Sequence, residues 1–252
     1  MIRLSIITFL GTFLIVSAMA RGSQQNPNAE PQRTNVTATV PPVDQILDRY
    51  VQAIGGRAAV EKLKTRVMKG LVIAPGGSAP IEIYEKAPNK FLVVINSPVS
   101  GISQNGFDGS VAWSQNLQRG LREMSGPEVE NFKREYNLHR EIKLKELYPK
   151  MMVKRREKIG EQEAYLVEAI TTDGISEAMY FDVSNGLLVR RDVTIQGTTL
   201  QTHFENYKEV DGVKLPFTIR RSRPDFSFTY KIDEVKQNVT IEDARFNKPA
   251  TR

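Results

Sequence analysis

The sequence predicts one mainly antiparallel β domain, a curved sheet whose apolar face is covered by helices. Period-two alternation runs through most of the second half, and Asx-Gly or other glycine turn signals recur at short intervals. One amphipathic helical stretch precedes the strands and a second interrupts them. Connections this short favour strands paired in sequence order, a meander. A long antiparallel sheet with one apolar face curls, and helices can close it only in part.

The 252-residue chain opens with Arg3, an apolar run over 4–16, and the small residues Ala18 and Ala20. This is the cationic, apolar and small-residue order of a secretory signal, expected to span 1–20 and to be removed. The run is shorter than the roughly 20 residues that cross a bilayer. No cysteine follows to accept a lipid, so a periplasmic or secreted location is expected, with an uncleaved anchor as the alternative. A chain with no cysteine must hold its exported fold by burying a core. Residues 21–42 are rich in Gln, Asn, Pro, Thr and Arg and read as a disordered linker. Residues 43–252 read as a single domain. Lys and Arg exceed Asp and Glu by 35 to 29. In an exported chain this points away from nucleic acid, toward solvated basic strand faces or an anionic membrane surface as partner.

Within the domain, Val43, Ile46, Leu47, Tyr50, Val51 and Ile54 recur at helical spacing and stop at Gly55-Gly56, which predicts a helix over 43–54. A short helix is expected over 57–63, then strands over 67–73, 81–86 and 90–96. In "QNGFDGSVAWSQN", Asn105-Gly106 and Asp108-Gly109 both read as turns. Ser125 and Pro127 read as the cap and first turn of a helical region over 128–148, with its charged residues facing water. Strands then run from 152 to 235. One face carries Ile175, Met179, Phe181 and Val183, then Leu187, Val189, Val193 and Ile195, then Val213, Leu215, Phe217 and Ile219. The last strand adds Phe226, Phe228, Tyr230 and Ile232. Asp211, beside Gly212 between two alternating strands, reads as a hairpin corner rather than a catalytic acid.

Reactive constellations are sparse. A metal site takes three or four converging ligands, and the chain has two histidines, His139, expected at the surface, and His203, far apart in sequence. No G-x-S-x-G elbow, G-x-G-x-x-G or phosphate loop occurs. No metal, cofactor or enzymatic activity is therefore expected. The concave face remains as the candidate site. Met179, Phe181, Leu215, Phe217, Phe226, Phe228, Tyr230 and Ile232 are the expected lining of a hydrophobic cavity.

The succession of an export signal, a helix ending in Gly-Gly, hairpins, "FDGSVAW" followed by helices, and a meander with "YFDVSNGLLVRR" and "YKEVDGVKLPFTIR" resembles the outer-membrane lipoprotein-sorting and periplasmic lipoprotein-carrier superfamily. The resemblance covers roughly 43–248 and rests on the order of turn signatures. It implies an unclosed barrel of about eleven strands with a helical lid over a cavity that receives acyl chains. The expected function is that of an exported cell-envelope protein binding a lipid or the acyl chain of a lipoprotein, as carrier or sensor. The alternatives are an envelope scaffold with a packed core, and, more distantly, an exported hydrolase with two carboxylates converging in a cleft. The oligomeric state is left open.

Overall fold

The computed structural model describes residues 40–195 and 197–250. The expected signal segment, and the linker up to residue 39, lie outside the described residues. Val40, assigned to the linker from sequence, packs against the core.

A single antiparallel sheet of 13 strands organises the domain, two more than the resemblance implied. The first meander comprises β1 (Thr65–Ala74), β2 (Gly77–Lys86), β3 (Lys90–Ser97), β4 (Gly101–Phe107), β5 (Ala112–Asn116) and β6 (Gly120–Glu123). The second comprises β7 (Lys150–Ile159), β8 (Gln162–Ile170), β9 (Ser176–Asp182), β10 (Leu188–Ile195), β11 (Thr198–Val210), β12 (Val213–Arg223) and β13 (Phe226–Gln237). The two join where β1 pairs β13, so β6 and β7 are the free edges of a curved, unclosed sheet. The chain leaves the sheet at one edge and re-enters at the other. Residues 124–149 must therefore bridge the mouth of the half-barrel, and this is why a helical stretch interrupts the strands.

That stretch is broken rather than continuous: α3 spans Pro127–Glu135, a 3-10 turn Arg140–Ile142, and α4 Leu144–Leu147. Gly126, not Ser125, takes the cap position of α3, and no side chain caps it. Phe132 packs with Ile83, Phe91, Val93 and Phe107 of the first meander. Leu138, Ile142, Leu144 and Tyr148 pack with Val167, Met179 and Phe181 of the second. The bridge thus covers the inner face of both halves. His139 is not a free surface residue: its Nε2 lies 2.9 Å from the Leu63 carbonyl oxygen and ties the bridge to the N-terminal helices.

Helix α1 (Val43–Ala53) is amphipathic as its spacing demands, and it buries Ile46, Leu47 and Tyr50. The Tyr50 ring meets Phe181 edge-on at 5.3 Å. Each such side chain contributes about 1.5–3 kcal/mol on burial. The second helix, α2, is shorter than its pattern, Arg57–Glu61. Asn105-Gly106 is not a turn. It lies within β4, where Gly106 stands opposite Trp113 and an added Cβ would come within 2.5 Å of the indole ring. Asp108 does make a turn, accepting hydrogen bonds from the amides of Ser110 and Val111 at 2.7 and 2.8 Å.

Asp211 and Gly212 both have positive φ, 47° and 81°, the two-residue corner that alternation predicts between β11 and β12. We expect Gly212→Val to destabilise the domain by about 1–3 kcal/mol, because a β-branched residue is strained at this φ. Asp211→Asn should be neutral, since asparagine tolerates the left-handed region as well. Urea denaturation midpoints test the pair. An unchanged Gly212→Val midpoint is the result that contradicts the structural role.

Candidate functional site

The inner face is not packed solid. Toward the tips of the β1–β2 and β3–β4 hairpins lies a cleft of about 490 Å³, bordered by Val72, Ala74, Ile95, Val99, Phe228 and Tyr230 and by no charged residue. Val99 stands 86% exposed at its rim. Beyond Phe228 lies a wider cleft of about 610 Å³, with apolar walls from Phe132, Val193, Leu200 and Phe226 and with Arg191, Arg221 and Glu135 along it. A third, smaller space of about 170 Å³ sits deeper, between Met68, Ile83, Val93, Leu215, Ile219 and Tyr230. Arg191, Arg221, Glu135 and Tyr136 border both the wide cleft and the deep cavity and form the partition between them.

Strand register explains the partition. Val167, Met179, Arg191, Thr202, Arg221 and Phe228 stand opposite one another in a single row across β8 to β13. Two arginines therefore flank the small, buried Thr202 on the inner face. Arg191 Nη2 and Arg221 Nη2 both donate to the carboxylate of Glu135, the last residue of α3. Burial pushes the Glu135 carboxyl up, but Arg191 and Arg221 outweigh it and hold the group well below the usual carboxylate range. Burial likewise opposes charge on Arg221, and Glu135 more than restores it, keeping the guanidinium firmly protonated. Tyr230, pushed up to about 12 by burial against the opposing pull of Arg221, is a neutral hydroxyl.

A second charged centre adjoins the first. Glu177, 3% exposed, accepts a hydrogen bond from the Tyr148 hydroxyl at 2.8 Å, and Arg140 donates to that hydroxyl at 2.9 Å. Arg134, Arg140 and Arg191 lie 3.7, 3.7 and 3.9 Å from the Glu177 carboxylate. On the far side of the deep cavity, Arg66 and Glu85 form a buried cross-strand pair at 3.2 Å. Burial raises the Glu85 carboxyl above its ordinary range despite Arg66. The expectation that the charged residues of 128–148 face water fails at Arg134 and Arg140, both buried, and at Glu135. The bridge carries charge inward because the strands beneath it present charge of the opposite sign.

The residues expected to line one cavity are distributed over several environments. Met179 and Phe181 are fully buried under α1. Leu215, Phe217 and Ile232 form a packed cluster, with Tyr230 against it. Leu215 and Tyr230 border the deep cavity, Phe228 and Tyr230 the uncharged cleft, and Phe226 the wide cleft. Phe226, Phe228 and Tyr230 form a ladder of rings with centroids 5.4 and 4.9 Å apart. On β10, a register shift between Leu188 and Arg190 sends Val189 to the outer face, beside Leu166 and Tyr180. Leu188 takes its place in the core under α1. His203 stands between Arg190 and Arg220 in the register, and burial together with these two cations holds it below its ordinary value.

The sequence reading missed Glu177, Arg191 and Arg221, although the signal for them was present. Each occupies an inward position of an alternating strand: Glu177 two residues before Met179, Arg191 two before Val193, Arg221 two after Ile219. These charges are part of the inner face alongside its apolar residues.

No family model and no curated protein matches this chain. Solved structures do. A DUF1329 family protein from Desulfovibrio piger superposes with a TM-score of 0.59 at 14% identity, covering 82% of this chain and 98% of that one. A LolA superfamily protein from Nitrosomonas europaea superposes with a TM-score of 0.56 at 13% identity, covering 83% and 99%. The chain shares the fold of these two proteins. Nearly the whole of each neighbour is matched. At these identities the likeness speaks for the fold, and the arginine partition is a property of this chain's own residues.

Proposed function

We propose that this protein is an exported cell-envelope protein that binds a hydrophobic ligand, a lipid or the acyl chain of a lipoprotein, in the concave face of its half-barrel, acting as carrier or sensor without catalysing a reaction. The observation that carries this reading is the uncharged cleft of about 490 Å³ between β1, β3 and β13. It falls in the size range of ligand pockets, about 300–1,000 Å³, and its lining suits alkyl chains. Phe228 and Tyr230 form its wall, and the exposed Val99 at its rim gives an apolar chain a path from solvent. The half-barrel fold shared with a LolA superfamily protein supports this reading. A scaffold role would need the inner face to be filled by side chains.

The test is titration of purified protein with a fluorescent fatty acid, alongside native mass spectrometry for co-purified lipid. Phe228→Asp places a carboxylate where an apolar ligand sits, at a desolvation cost of several kcal/mol, and is expected to abolish binding. Lys231→Asp, at an exposed position on the other face of the same strand, is expected to leave it unchanged. Equal losses from both, or no binding by the unmodified protein, would favour the scaffold.

A further inference from the structure

The partition between the clefts pairs two guanidinium groups with one carboxylate. Glu128, at the mouth of the wide cleft, is paired with Arg122 at 2.6 Å, and Arg223 with Asp225 at 2.7 Å. Glu177 is shared among Arg134, Arg140 and Arg191. At the two centres together, Arg134, Arg140, Arg191 and Arg221 face Glu135 and Glu177, with the more exposed Asp173 3.7 Å from Arg134 and Glu141 bordering the deep cavity. The Nε atoms of Arg191 and Arg221 are buried without a hydrogen-bond partner among the described residues.

Glu135 itself sits at an electrostatically unfavourable place. It ends α3, where the helix dipole favours cations over anions. Arg191 and Arg221, with Arg140 contributing in the same direction, make its position favourable. Phe132 is the one large buried apolar side chain of α3, so much of the helix's attachment is ionic, through Arg134 and Glu135.

We infer that Arg191 and Arg221 form the receiving site for an oxyanion headgroup, carboxylate or phosphate, carried on an apolar chain, and that Glu135 is a built-in competitor for that site. This rests on the hydrophobic-ligand reading above and specifies the ligand's polar end. The register supports the geometry. Arg221 stands opposite Phe228, whose ring lies between Phe226 in the wide cleft and Tyr230 beside the uncharged cleft, so Phe228 and Tyr230 lead from the arginine pair into the uncharged cleft. A headgroup at Arg191 and Arg221 would direct its chain along Phe228 and Tyr230 into the uncharged cleft. Guanidinium forks bind carboxylate and phosphate oxygens with two parallel hydrogen bonds, and a headgroup that replaces the Glu135 carboxylate keeps both arginines paired with an anion. Binding then releases Glu135 while Arg134 keeps its ion pairs with Glu177 and Asp173, so occupancy is coupled to the C-terminal end of α3.

The test compares laurate with its neutral glycerol ester, by calorimetric titration of the full domain and of three variants. The unmodified protein is expected to bind laurate more tightly than the ester. Arg221→Gln leaves Glu135 paired with Arg191 and is expected to lower laurate affinity by about tenfold or more, the scale of one charged hydrogen bond, with ester binding unchanged. Arg221→Lys should recover part of the loss. Glu135→Gln removes the competitor and should raise laurate affinity alone. If Arg221→Gln affects laurate and ester equally, or neither, the headgroup site is refuted while hydrophobic binding stands. If neither probe binds the unmodified protein, both readings fall. Thermal melts identify any variant that does not fold, and Arg221→Lys then decides the question by the same ratio of laurate to ester affinity.

Discussion

Gly55→Ala is expected to lower the stability of the domain by about 2–6 kcal/mol, the sum of a strained backbone and an overpacked contact. Gly55 has a φ of 115° and ends α1, with its amide and that of Gly56 returning to the carbonyls of Gln52 and Val51. It also abuts the β11–β12 corner: a Cβ there would lie 2.0 Å from the Gly212 carbonyl oxygen. Backbone meets backbone at this point, so no side-chain rotation can relieve the overlap. The neighbouring contact, Lys214 amide to Ile54 carbonyl at 2.8 Å, would be lost with any displacement, and α1 would lift from Met179 and Phe181. Gly76→Ala is the control. It has no positive φ and nothing within 4 Å of the added Cβ, and its effect should stay within about 0.5 kcal/mol. Equal unfolding midpoints for the two variants would contradict the close approach of helix and corner.

Glu135→Ala is expected to cost about 3–5 kcal/mol, because it leaves two largely buried guanidiniums without their shared counter-ion. Glu130→Ala, on the same helix and in an exposed pair with Lys133 at 3.0 Å, should cost less than about 1 kcal/mol. The pH dependence separates the ionic contribution from packing. Glu135 is held well below the ordinary carboxylate range in the fold by Arg191 and Arg221, against the effect of burial. As pH falls, the unfolded chain takes up this proton first. The stabilisation is therefore complete above the unfolded value of about 4.3 and is lost progressively as pH drops below it. The acid limb of the stability curve should be shallower in Glu135→Gln than in the unmodified protein, with the difference confined to acidic pH. Parallel curves down to the onset of acid unfolding would show that Glu135 is not the paired carboxylate described here.

Much of the fold is legible in short-range pattern. Alternation in β12 and β13 places Val213, Leu215, Phe217 and Ile219, and Phe226, Phe228, Tyr230 and Ile232, on the inner face, because side chains along a strand point to opposite sides with a period of two. The spacing of Ile46, Leu47 and Tyr50 and the glycine pair after them place α1 for the same local reason. The site was less legible. An alternating pattern tells which side a residue takes, but not what lies opposite it, and a single bulge can reverse the side. At Val189 it did.

The residues by themselves determined the class of the domain, the inward face of its closing strands and the structural role of Asp211, since each follows from local sterics and hydrophobic period. Only the tertiary structure decided that Arg191 and Arg221 come together across Thr202 and meet Glu135, which lies 56 residues before Arg191 and 86 before Arg221 in the chain. Isolated charges on strands read as solvent-facing because burying one alone is prohibitive. Burial becomes favourable once the bridge from β6 to β7 delivers the opposite charge, and that depends on which edges of the sheet stay open, a property of thirteen strands together and of no single segment.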